Sequence, residues 1–168
     1  MELNILKFEN KLEAVLDFSL ALEKRFGPNP SIPDAIKLYR RSADEGFAGS
    51  LNNLGDLYEK GLGVEKNDKF SVYLYSRAAE RGEPTGYLSL STFLGEGTSD
   101  QEILVEAVKF GLLAVSTLPD GKNKDYAAQN IKVLTEKVSK ESYARAVELA
   151  RVWQPLYQEE YLMGDTPE

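Results

Sequence analysis

The stretch LGDLYEKGLGVEKNDKFSVYLYSRAAERG, from Leu54 to Gly82, carries the clearest evidence for the fold. It places a Gly-x-Gly turn, Gly61 to Gly63, between two segments whose apolar and small residues recur every three or four positions. That spacing is typical of amphipathic helices. A dinucleotide-binding fingerprint needs Gly-x-Gly-x-x-Gly after a strand, and a P-loop ends in Gly-Lys-Ser/Thr. Because GLGVEK has neither ending and follows a predicted helix, we interpret the turn as a corner between two packed helices.

The chain repeats this pattern with a period of 36 residues. A shift of one period aligns Gly27 with Gly63, Leu38-Tyr39 with Leu74-Tyr75, Ala43 with Ala79, and Gly46 with Gly82. Self-similarity at a fixed period is the sequence signature of repeat architectures. Each unit therefore predicts two short amphipathic helices, and the small residues Gly55, Ala78 and Ala79 predict where the helices of a pair approach closely.

Residue types at the predicted helix ends agree with this division. Gly61 suits a helix end, because glycine takes the left-handed conformation there without steric cost. Asn67 and Ser31 are predicted N-caps. Ser99 and Glu102 have the spacing of a capping box before the second helix of the third unit.

Composition excludes several classes of chemistry and partner. Of the 168 residues none is Cys and none is His, so the chain has no disulfide framework, no cysteine nucleophile and no histidine general base. Its 27 acidic and 20 basic residues give a net charge of −7, which disfavours nucleic acid and anionic membranes as partners. A basic protein is the kind of partner that this charge favours.

The second unit carries a specific set of residue types at fixed positions. They are Leu54, Gly55, Tyr58, Gly61, Gly63, Val64, Asp68, Lys69, Tyr75, Ala78, Ala79 and Gly82. This set resembles the SEL-one-like repeat (SLR) family, which is related to the tetratricopeptide repeats. It departs from the family at Ser71, where alanine is preferred, and over residues 73–75, where Trp-Tyr is usual. The resemblance implies a helical solenoid that serves as an adaptor for other proteins and hosts no chemistry of its own.

We therefore predict an all-α fold, a right-handed α-α superhelix (solenoid) of about four helix-turn-helix repeats. The predicted single repeat domain covers residues 1–155, with units of about 8–46, 47–82, 83–118 and 123–155. Residues 138–155 resemble the capping helix that often closes such arrays. An acidic tail is predicted over residues 156–168.

The resemblance also implies that the first helix of each unit lines a concave, protein-binding groove. The predicted groove residues are Glu13, Leu16, Leu20, Asn52, Asp56, Glu59, Leu88, Thr92, Glu96 and Gln129. Gln129 is included on the assumption that the first helix of the fourth unit starts near Ala128. Leu16 and Leu20 have an equally supported alternative, in which they pack against residues 1–8.

These observations predict a cytoplasmic adaptor or regulator that binds another protein without catalysis or a cofactor, as a monomer or a weak homodimer. The first residues lack the basic and unbroken apolar segments of a signal peptide. In a bacterium, a toxin-neutralising immunity protein is a specific version of this interpretation. Two alternatives remain, namely a small-ligand-binding or hydrolytic repeat protein that uses carboxylates, and a structural oligomer stacked end to end.

Overall fold

The computed structural model describes residues 2–155, with side chains from Leu6 onward, and this part of the chain is helical without any strand. Its helices are α1 (Glu2–Phe26), α2 (Ile32–Asp44), α3 (Ala48–Lys60), α4 (Asp68–Glu80), α5 (Pro84–Gly95), α6 (Gln101–Thr117), α7 (Lys122–Thr135) and α8 (Lys140–Val152). The prediction of an all-α repeat solenoid is confirmed. The predicted tail, residues 156–168, lies outside the described residues.

Successive helices pack in antiparallel pairs that stack along the array. Helix α1 packs on α2, α3 on α4, and α5 on α6, and the pairs are joined through contacts of α2 with α3 and of α4 with α5. Helices α3, α5 and α7 also touch in succession, so the first helices of three units lie side by side. At the C-terminal end the pattern changes, because α7 and α8 both pack mainly on α6.

The close approach of α3 and α4 depends on a glycine. A Cβ atom on Gly55 would lie 2.5 Å from Cε1 of Tyr75, whose side chain is fully buried across α3. Ala78 and Ala79, one turn further along α4, are also buried, and Gly86 of α5 comes close to both. The prediction is confirmed for Gly55, within the pair α3 and α4, whereas Ala78 and Ala79 mark a close approach to α5 of the next unit. Small residues thus set the spacing both within and between pairs.

Two of the predicted helix ends are confirmed. Gly61 ends α3 in the left-handed conformation, with φ 66°. Asn67 caps α4, and its side-chain oxygen accepts a hydrogen bond of 3.0 Å from the Phe70 N–H.

The other two predicted caps hold only in part or not at all. Ser31 is the N-cap residue of α2 as predicted, but its hydroxyl donates to the Asp34 carboxylate at 2.8 Å and accepts from no backbone N–H. One of the two N–H groups that it could accept from is missing, because Pro33 occupies that position. The predicted capping box is replaced by Asp100, whose carboxylate accepts from the N–H groups of the first turn of α6.

Helix α7 begins at Lys122, six residues before the predicted start near Ala128. The preceding turn is formed by Gly121, with φ 144°, and Lys124 in the first turn donates to the Asp120 carboxylate at 2.9 Å. The charged segment Asp120–Asp125 therefore opens a helix, and Gln129 lies in the middle of α7.

Buried tyrosines predict a loss of stability at high pH. Burial is the main cause that raises the pKa of Tyr39, Tyr75 and Tyr87 above the ordinary value of 10.0, and in Tyr75 the hydrogen bond to Glu59 adds to it. Above about pH 10 the unfolded chain loses phenolic protons that the folded chain keeps, so the free energy of unfolding falls as pH rises. Urea unfolding at about pH 8 and about pH 11 should show this fall, and a Tyr39→Phe/Tyr87→Phe variant should show a smaller one. An equal fall in both proteins would contradict the assignment to these tyrosines.

Candidate protein-binding groove

A groove of about 530 Å³ runs across the first helices of the array. It takes side chains from α1, α3, α5 and α7 and from the turns that precede α3 and α5. The lining residues are Phe18, Phe47, Gly49, Asn52, Asn53, Glu83, Thr85, Leu88, Ser89 and Asn123. Helices α1, α3, α5 and α7 therefore share an opening large enough for part of a polypeptide or a small ligand.

The repeat itself builds most of this lining. Four positions of the second unit recur in the third, 36 residues later: Phe47 with Glu83, Gly49 with Thr85, Asn52 with Leu88, and Asn53 with Ser89. Of the predicted site residues, only Asn52 and Leu88 are among them. Other positions could have been predicted from the sequence. Gly49 and Asn53 lie next to Asn52 on the same face of α3, and a shift of 36 residues takes them to Thr85 and Ser89.

One wall of the groove is aromatic. The rings of Phe18 and Phe47 lie with their centroids 4.7 Å apart. Gly49 keeps the space beside them open, because a Cβ there would lie 3.0 Å from Phe47 and 3.2 Å from Phe18. Leu88 adds an apolar side chain from α5. This part of the groove suits an apolar side chain of a ligand.

The floor beside the aromatic wall is polar. Asn53 donates to the Gly49 carbonyl at 2.9 Å and accepts from Arg25 at 3.1 Å. The Asn52 Oδ1 atom is buried, and no hydrogen bond to it is found within the described part of the chain. Because buried acceptors are almost always paired, this oxygen needs a donor that the described part of the chain does not supply.

The carboxylates of two predicted groove residues bind side chains of the chain itself. Asp56, one turn beyond Asn52 on α3, forms an ion pair with Arg25 of α1, whose side chain is only 7% exposed, and with Lys60 of its own helix. Glu59 accepts a hydrogen bond of 2.6 Å from the Tyr75 hydroxyl. Both carboxylates thus connect neighbouring helices.

Three further predicted residues lie beyond the groove lining. Thr92 is half-buried on α5 and donates to the Leu88 carbonyl at 3.0 Å. Glu96 is exposed immediately after α5, and Gln129 is exposed on α7. The structure therefore brings only part of the predicted set together.

The predicted residues of α1 belong to a separate surface. Leu16 and Leu20 are exposed and lie at helical spacing among other exposed apolar side chains. We call this surface the α1 strip, and it consists of Phe8, Leu12, Val15, Leu16 and Leu20. Glu13 is exposed on the same helix. The alternative packing against residues 1–8 does not fit the structure, because residues 2–8 belong to the same helix, α1, as Leu16 and Leu20.

The described acidic side chains form no cluster of the metal-binding kind, and two of the carboxyl groups have lowered pKa values. No group of three or more acidic side chains is placed to hold a metal ion in residues 2–155. The pKa values of the Asp120 and Glu148 carboxyl groups are lowered by hydrogen bonds to Lys124 and Arg151, and both groups are exposed. A general-acid carboxyl needs the opposite, a raised pKa in a buried position. Within the same residues, no helix is both long and apolar enough to cross a bilayer.

Comparison with known families matches two consecutive segments, residues 18–47 and 48–83, to the Sel1 repeat. Residues 18–83 therefore carry two Sel1 repeats, over 66 of the 168 residues. Phe18 opens the first Sel1 repeat and Glu83 closes the second, so most of the groove lining falls within the matched segments. Proteins with Sel1 repeats typically mediate contacts between proteins and are generally not catalytic.

Two similar proteins are bacterial. An exopolysaccharide production negative regulator of Rhizobium meliloti (strain 1021) is 32% identical over 80 residues, which cover 42% of this chain and 30% of the regulator. A protective antigen of uropathogenic Escherichia coli strains, whose crystal structure displays an SLR fold, superposes with a TM-score of 0.67 at 20% identity. That match covers 84% of this chain and 29% of the antigen, and it shows the fold alone. The chain spans less than a third of either protein.

Proposed function

We propose that this Sel1-repeat protein is a non-catalytic adaptor or regulator that binds a segment of another protein in the groove. The observation that carries the proposal is the apolar cleft of Phe18 and Phe47 beside the unpaired Asn52 oxygen. An extended peptide offers both complements at once, a side chain for the cleft and a backbone N–H for the oxygen.

The partner that fits best is basic. The net charge of the chain is −7, and Glu83 is the charged residue of the groove lining. The α1 strip carries Glu9, Glu13 and Glu23 among its exposed neighbours, so a partner that reaches beyond the groove meets more acidic side chains. Opposite charge would speed association and select against acidic competitors.

Two more specific roles follow from the same surface. A regulator is favoured by the name of the R. meliloti relative, and an immunity protein that neutralises a basic toxin domain is favoured by the negative charge. Both would act in the bacterial cytoplasm, with this protein as a monomer or a weak homodimer.

Photo-cross-linking in cells can identify the partner. A photoreactive phenylalanine analogue would replace Phe47 in the groove or Phe70, which is 38% exposed on α4. We expect a discrete protein to be cross-linked through position 47 and not through position 70. Cross-linking of the same protein through position 70 alone would place the contact outside the groove.

Ser89→Arg should weaken binding of that partner by at least about tenfold, equivalent to about 1.4 kcal/mol. Ser89 is half-buried in the groove lining, so an arginine there fills the opening and repels a basic ligand. The matched control is Ser116→Arg on α6, where the serine is exposed outside the groove. Isothermal titration should give wild-type affinity for the control, and equal affinity of the two variants would contradict the proposal.

A further inference from the structure

The first turns of α1 extend past the helices that pack on it. The Ser42 hydroxyl, near the end of α2, donates to the Ala14 carbonyl at 2.7 Å. Helix α2 ends shortly afterwards, at Asp44, and every residue of α1 from Leu6 to Glu13 is exposed. Among the described residues, no helix therefore covers this part of α1, although helices in proteins are stabilised mostly by the packing of an apolar face.

The α1 strip contains the residue spacing of a contact between two helices. Phe8, Leu12 and Val15 follow one another at steps of four and three residues. Ser19 follows after four more residues, and it is exposed like the other three. Alternating steps of three and four residues form the seam along which two paired helices meet. We call these four residues the α1 seam.

The charged side chains beside the α1 seam are sorted by sign. At about 100° of rotation per residue, Lys7 and Lys11 lie on one side of the seam. Glu9 and Glu13 lie on its other side. Like charges four residues apart destabilise an isolated helix, and none of these side chains forms an ion pair within the described part of the chain. A partner that presents both signs of charge relieves both repulsions.

The other described charges around α1 leave this arrangement unchanged. Asp17 and Arg25 lie on the buried side of α1, where they form ion pairs with α2 and α3. The acidic end of α2 lies on that same side. Glu23 is exposed on the acidic side of the seam, and Lys24 is half-buried nearly opposite the seam.

We propose that two copies of this chain pair through the α1 strip, with their α1 helices parallel. In a parallel pair related by a two-fold axis, the basic side of each seam faces the acidic side of the other copy. In an antiparallel pair, each side would face its own charge. Leu16 and Leu20 lie on the acidic side of the seam and widen the apolar contact. Because α2 and α3 pack on the buried side of α1, the two arrays extend in opposite directions from the pair.

The size of the α1 strip fits a weak dimer. Its five side chains are 42–61% exposed, so each copy presents about 400 Å² of apolar surface, if a whole side chain counts as about 150 Å². Two copies then bury about 800 Å² of apolar surface, and the flanking charged side chains raise the total to about 1,200 Å². This total lies at the lower end for specific interfaces, which favours reversible pairing over a permanent dimer.

Disulfide trapping tests the parallel arrangement, because the chain has no cysteine of its own. Val15→Cys and Ser19→Cys, made separately, each place a thiol in the seam, where a parallel pair brings the same position of both copies together. The matched control is Ser116→Cys, which is exposed on α6. In a glutathione redox buffer we expect each seam variant to form at least about ten times more disulfide-linked dimer than the control. An antiparallel pair can bring at most one of the two seam positions onto itself.

A charge exchange tests the role of the flanking residues. Lys7→Glu/Lys11→Glu makes both sides of the seam acidic, and it should raise the dissociation constant of the homodimer at least about tenfold in sedimentation equilibrium. Addition of Glu9→Lys/Glu13→Lys exchanges the two sides and should restore the wild-type constant. That recovery also shows that the first variant failed through its charge and not through misfolding.

Several results would overturn the proposal. A wild-type chain that stays monomeric at about 1 mM would do so, as would equal cross-linking of the seam and control cysteines. Cross-linking at one seam position alone would indicate an antiparallel pair, and unchanged pairing of Lys7→Glu/Lys11→Glu would contradict the sorting of charges. The pairing is independent of the proposed groove function, because a monomeric chain that still cross-links a partner through position 47 would contradict the pairing alone.

Discussion

Replacement of Gly86 by leucine is expected to lower the free energy of unfolding by about 3 kcal/mol. A Cβ atom at this position would lie 2.9 Å from the Ala78 Cβ and 3.0 Å from the Ala79 backbone nitrogen. Neither atom can rotate away, because one is a fully buried methyl group and the other belongs to the backbone of α4. The larger side chain must therefore push α5 off α4 and open the junction between the second and third units.

Urea unfolding followed by circular dichroism measures this effect. Gly86→Ala should give an intermediate loss, since the first added carbon already meets Ala78. Ser89→Leu, on the same helix but facing the groove, should change stability by less than about 1 kcal/mol. Equal losses for Gly86→Leu and Ser89→Leu would show that the spacing of α4 and α5 does not depend on the glycine.

Arg25→Met is expected to cost about 2 kcal/mol of stability. The guanidinium group is almost fully buried and joins α1 to Asp56 and Asn53 of α3. Methionine fills similar volume but leaves the Asp56 carboxylate with only Lys60 as an ionic partner. The carboxylate is 24% exposed, so water compensates for part of the loss and the cost stays below that of a fully buried pair.

Two comparison variants isolate the charge effect. Arg25→Met/Asp56→Leu should recover part of the loss, because no unpaired carboxylate remains. Arg151→Met removes an exposed partner of Glu148 and should leave stability almost unchanged, because exposed ion pairs contribute little. If Arg25→Met is as mild as Arg151→Met, the buried ion pair does not fasten α1 to α3.

The repeat architecture was predictable because its determinants are local. Gly61 acts through its own left-handed backbone, and Asn67 acts through a hydrogen bond to the N–H group three residues later. Their residue types therefore indicate their conformations. Gly55 is informative for a related reason, since only glycine tolerates the Tyr75 ring above it. Local rules failed where a neighbouring side chain competes for the same hydrogen bond. The Ser31 hydroxyl donates to the Asp34 carboxylate and does not cap a backbone N–H.

The groove was harder to predict because its lining depends on contacts between units. Periodicity places Asp56 on the inner face of α3, but the residue that binds its carboxylate is Arg25, 31 positions earlier. The aromatic wall likewise requires Phe18 of α1 to meet Phe47, a turn residue outside any helix. Sequence reasoning therefore placed one residue of α3, Asn52, and one of α5, Leu88, in the groove lining, while the partners of the other side chains became visible only in the folded array.

Hydrogen–deuterium exchange of the full chain, alone and with the partner captured through position 47, tests the central proposal most directly. Binding in the groove predicts slower exchange over residues 47–53 and 83–89, the two segments that line it in successive repeats. The amides of α8 should keep their rates. Slower exchange confined to α1, α4 or α8, with no change over residues 47–53 and 83–89, would contradict the proposal that the groove binds the partner.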